Sequence, residues 1–173
     1  MRGGVVVLNF FALAWSWLAI TGANLSPAWM AVPLAVTVAL LLWARMPRHA
    51  PDPSIDRSHV GRLVGIWSAV EGVAMFVVAN ILINIGLRDA IAPAMAIVVG
   101  LHFVPLARGF PVPLYYGAAA VMVAIGIVAL LLPGSERLMF TGAACAVALW
   151  ATCALLVTPL GAIRPRAGAS AGA

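Results

Sequence analysis

The 173-residue chain contains no lysine, only five acidic residues and only two cysteines. Charged residues make up 9% of it and hydrophobic residues 64%, whereas soluble domains hold about 25% and about 45–50%. So little charge cannot clothe a water-facing surface, which argues against a soluble all-α protein with a large core. A mean hydropathy of +1.09 points the same way. The cysteines, Cys145 and Cys153, stand eight positions apart in one apolar segment, about 12 Å along a helix axis. A disulfide needs Cα atoms within about 7 Å, so a straight helix keeps them apart. They read as small apolar packing residues. The chain has no CxxC, and a thiol oxidoreductase is not supported.

Motifs for enzyme chemistry are also missing. There is no HExxH, no GxSxG and no dense acidic motif for a diphosphate substrate. No predicted span offers a second histidine for bis-histidine haem ligation. The reading therefore leans away from an enzyme without closing that option, and expects no cofactor and no metal. The net charge of +5 comes from ten arginines. They lie at the ends of apolar segments instead of among aromatics in a basic module, so nucleic acid is not the expected partner.

What the chain does have is six apolar stretches, at roughly 5–21, 28–44, 63–85, 90–107, 114–132 and 138–157. Each approaches the ~20 residues a membrane-spanning helix requires. The expected fold is all-α: a polytopic membrane protein, a bundle of six transmembrane helices in three hairpins, forming one domain over residues 1–158. Ser26-Pro27 opens the second helix with a cap and a first-turn proline. Pro133-Gly134-Ser135 separates the fifth from the sixth. Pro33 is expected to kink the second helix. The first stretch follows Arg2 but contains Trp15 and Trp17 and meets no small-residue cleavage motif, so it reads as a retained helix instead of a signal peptide.

Six spans put both ends of the chain on one side. That side holds eight arginines (2, 45, 48, 57, 62, 108, 164 and 166), the other only Arg88 and Arg137. The split predicts cytoplasmic termini, and the arginine-only, alanine-rich usage points to a GC-rich bacterial genome and so to a bacterial inner membrane. Residues 159–173 are expected to form a disordered cytoplasmic tail. The 45–62 loop carries His49, Asp52, Asp56 and His59, and its prolines and mixed charges favour a solvated linker over a metal cluster. Asp56 is placed to cap the third helix. Trp43, Tyr115 and Tyr116 fit interfacial aromatics. "LSPAWMAV" (25–32) loosely resembles "IAPAMAIV" (91–98), which suggests that the first two hairpins are related.

The third stretch carries Glu71, the only acid inside a predicted span. It lies about 12 Å inward from Leu63, too deep to reach the headgroups easily, and insertion scales place the cost of a charge at mid-span near 2.5–3.5 kcal/mol. In an antiparallel hairpin turning between Gly86 and Leu87, Glu71 and His102 are equally far from the turn. The one intramembrane acid and the one intramembrane histidine thus share a depth, and are expected to pair or to share a proton. Asn9, Trp67 and Thr152 occupy the same half of the membrane and complete the candidate site as the lining of an inward-facing cavity, unless Asn9 and Thr152 serve only as packing glue. Asn80 and Asn84 share another face of the third helix, which suggests a helix surrounded by protein. Gly61, Gly65 and Ala69 form a small-residue row that would allow a close helix contact.

These features suit a small secondary transporter or proton-linked permease with a small-molecule or ion substrate, working as a homodimer in the lipid bilayer. The alternatives are a non-catalytic membrane subunit or assembly factor and, after it, a membrane-embedded enzyme with Glu71 as general base.

Overall fold

The computed structural model of the protein describes residues 2–45, 57–109 and 112–158. Six α-helices account for nearly all of them: α1 (Arg2–Gly22), α2 (Ala31–Arg45), α3 (Arg57–Asn84), α4 (Ile91–Gly109), α5 (Leu114–Leu131) and α6 (Gly134–Val157). Each is long and apolar enough to cross a membrane, α2 together with the 3-10 turn before it. The chain is an integral membrane protein of the all-α polytopic class. The reason is general: inside hydrocarbon every backbone N–H and C=O must be satisfied within the segment, and the α-helix does this without a partner.

The first two hairpin turns are built alike. α1 ends where Asn24 takes a left-handed conformation (φ 54°), with Asn24 N–H donating to Thr21 and Leu25 N–H to Ile20. α3 ends where Gly86 does the same (φ 79°), with Gly86 N–H donating to Ile83 and Leu87 N–H to Leu82. Such a stop satisfies carbonyls the helix leaves open, and it favours glycine or asparagine at the left-handed residue. A 3-10 turn then leads into the next helix, Pro27–Met30 before α2 and Arg88–Ala90 before α4. The geometric correspondence pairs Leu25 with Leu87, whereas the sequence likeness pairs Leu25 with Ile91. The resemblance in sequence therefore lies one helical turn out of step with the resemblance in structure.

Several expected boundaries move. Pro33 lies in the first turn of α2, where its missing N–H has no intrahelical acceptor to lose, so no kink is needed. The proline inside a helix is Pro105 of α4, which leaves the Leu101 carbonyl without its intrahelical donor. Residues 57–62 of the expected loop already belong to α3, and α6 begins at Gly134, taking in Arg137. His49, Asp52, Asp56 and the 159–173 tail lie outside the described residues, as does the side chain of His59.

α6 sits at the centre. It packs most extensively on α1, then on α5, and also touches α4 and α2. The α1–α6 seam is backbone against backbone: a Cβ on Gly142 would meet the Trp15 carbonyl oxygen at 2.6 Å. The α4–α5 seam follows the same rule, a Cβ on Gly126 falling 2.6 Å from the Pro93 carbonyl oxygen. Small residues allow this approach, and in a bilayer close packing drives association between helices. Ala12, Ala96, Met122, Cys145, Leu149 and Cys153 fill the core between these seams. α3 is the outlier. It packs on α4 and the turn before it, and only 6% of its span is buried.

Candidate functional site

α3 presents Glu71 and α4 presents His102 to one another across their shared interface. His102 Nδ1 lies 3.6 Å from Glu71 Oε2, and the two side chains are only 10% and 9% exposed. The hairpin arithmetic and the helical phase explain the meeting. Val64, Met75, Val78 and Leu82 fall within about 40° of Glu71 at 100° per residue, and all four are part-buried, so the acid belongs to the stripe that α3 turns toward the bundle. At 3.6 Å the pair is within ion-pair range but beyond a good hydrogen bond. His102 Nδ1 is buried and has no hydrogen-bond partner. The Trp67 backbone carbonyl also faces the imidazole as an acceptor.

The other three candidate residues stand differently. Trp67, one turn before Glu71, turns its backbone toward the pair while the residue as a whole is 37% exposed. Asn9 is buried in α1, its Nδ2 donating to the Val5 carbonyl (2.9 Å) and reaching Cys153 Sγ (3.4 Å). Its Oδ1 is buried without a partner. Thr152 is buried in α6 and returns its hydroxyl to the Ala148 carbonyl at 2.8 Å, the packing alternative weighed from the sequence. Two hollows, one lined by α5 and α6 and the other at the far end of the bundle, include none of the five candidate residues.

Asn80 and Asn84 also correct an expectation. They lie on the exposed face of α3, where the Asn80 amide satisfies one N–H by donating to the Phe76 carbonyl of its own helix at 2.8 Å. In this single chain α3 is not surrounded by protein. Gly61, Gly65 and Gly72 have open space where a Cβ would stand.

Sequence reasoning overlooked one polar cluster. Arg137 Nη1 binds Asp89 Oδ2 at 2.6 Å, Nε donates to the Leu132 carbonyl and Nη2 to the Leu130 carbonyl, both at 3.0 Å. One guanidinium thus ties the α3–α4 turn to the end of α5 and the start of α6. The signal was available: Asp89 and Arg137 are opposite charges in connections predicted on the same side of the membrane. Among the described residues no three His, Cys, Asp or Glu side chains gather as a metal site. No protein-family model, curated protein or solved structure matches this chain.

Proposed function

We propose that this membrane protein is a small proton-linked carrier in which Glu71 and His102 form the proton site. One observation supports the reading above others: the carboxylate and the imidazole, separated by 31 positions in sequence, come within 3.6 Å inside two membrane-spanning helices. Intramembrane ionisable pairs are expensive to keep, and they mark proton and ion pathways. Glu71 Oε2 and His102 Nδ1 can hold one proton between them. Exchange of that proton with cargo or with water then changes the charge at the α3–α4 interface. The substrate is a small molecule or ion, the working unit a homodimer, the membrane a bacterial inner membrane, and the arginine distribution favours cytoplasmic termini.

The test is reconstitution into liposomes with a pH-sensitive dye inside. Wild-type protein should carry protons when a substrate mixture is supplied outside, and Glu71→Gln should abolish that flux while remaining monodisperse in detergent. Equal flux in the two proteins would end the reading.

A second reading, a non-catalytic membrane subunit, is favoured by the open outer face of α3 with its two asparagines. Small residues and amides are what helices use to bind one another in lipid. Gentle extraction that recovers a stoichiometric complex, together with no flux from wild type, would decide for it.

A further inference from the structure

The second hollow lies at the other end of the bundle from the Glu71–His102 pair, beside the first two hairpin turns; it is open to the outside and offers about 590 Å³. Its floor is apolar, formed by Leu18 of α1, Met95 of α4 and Leu138 of α6. Its rim is polar: Arg88, Thr21 and Ser135 line it and all three are exposed.

The charges around this rim do not cancel one another locally. Asp89 also lines the cavity, but its Oδ2 is held by Arg137 at 2.6 Å. Arg137 directs its remaining donors to the Leu130 and Leu132 carbonyls. Glu136 is exposed in the first turn of α6 and does not line the cavity. Arg88 makes no ion pair among the described residues, so the mouth keeps one uncommitted cation. It lies at the level where spans meet water, next to a hollow whose depth is hydrocarbon. A dry apolar hollow does not hold water well, and a guanidinium at that level is matched by an anionic headgroup.

We infer that this cavity is a binding site for an anionic phospholipid. The phosphate meets Arg88 at the rim, with the Ser135 hydroxyl beside it, and part of one acyl chain lies over Leu18, Met95 and Leu138. The volume falls within the ~300–1,000 Å³ of small-molecule sites. The site is independent of the proton pair and stands whether or not the protein is a carrier.

The experiment is native mass spectrometry of the full chain in a neutral detergent, titrated with phosphatidylglycerol or with phosphatidylcholine of the same chains. Phosphatidylglycerol should bind about fivefold more tightly, the contribution of one arginine at an anionic membrane surface. Arg88→Gln should remove that preference. Leu138→Trp, which fills the hollow and leaves the charge, should weaken both lipids. Inorganic phosphate at the same concentration should neither bind nor displace the lipid. Equal binding of the two lipids to wild type, an unchanged preference in Arg88→Gln, unchanged binding in Leu138→Trp, or displacement by phosphate alone would each overturn the assignment. The wild-type comparison needs no variant, so it decides even where a substitution disturbs folding.

Discussion

α3 and α6 are equally apolar as spans, yet 44% of the α6 span is buried and 6% of the α3 span. Both carry glycines and polar side chains. The difference is where those residues point. In α6, Gly142 meets the backbone of α1, and Thr141 and Thr152 turn their hydroxyls back to their own helix. In α3, Gly65 and Gly72 meet nothing, and the polar groups divide between Glu71, turned to α4, and the asparagines, turned away. Hydropathy decides that a segment enters the bilayer; the phase of its small residues decides whether it becomes a hub or an edge. The one deep acid of this protein lies on the edge helix, held by a single interface.

This contrast can be attacked at several strengths. The largest effect is expected from Gly142→Val, which forces α1 and α6 apart and should cost about 3 kcal/mol or more, read as loss of a monodisperse peak in detergent. Arg137→Gln comes next. It strips Asp89 and two carbonyls of their donor and should cost about 1–3 kcal/mol, measured by denaturant unfolding in mixed micelles. At the α3–α4 interface, Glu71→Gln, His102→Ala and the double variant should show a coupling of about 0.5–1.5 kcal/mol. Full additivity would mean that the pair does not communicate. The smallest change belongs to Gly72→Val, which should stay within about 0.5 kcal/mol for the isolated chain in detergent. A much larger loss for the same variant in native membranes would reveal an occupant on the outer face of α3.

The architecture was largely legible in the sequence, because six long apolar stretches separated by arginine, proline and glycine leave a bilayer few other solutions. The shared depth of Glu71 and His102 was legible too, since a tight hairpin fixes depth; the rotation that turns them to each other was not. What could not be read was rotation and neighbourhood elsewhere. Asn9 and Thr152 share a depth with the pair, but the α1–α6 seam turns Asn9 toward Cys153 and sends the Thr152 hydroxyl to its own helix. Asn80 and Asn84 suggested a helix surrounded by protein because they put polar groups on a second side of α3, yet among the described residues they find no partner beyond α3 itself. Pro33 was misjudged, since the effect of a proline depends on helix starts and ends that composition locates only within a turn.

The position of Pro105 has one more consequence. It frees the Leu101 carbonyl immediately before His102, while Gly100 is clamped against α5 just above. Beyond it Phe103 and Ala107 are buried, Phe103 with its ring on Tyr115 of α5. The imidazole therefore sits beside the missing rung of the α4 ladder, on a stretch that is anchored on both sides.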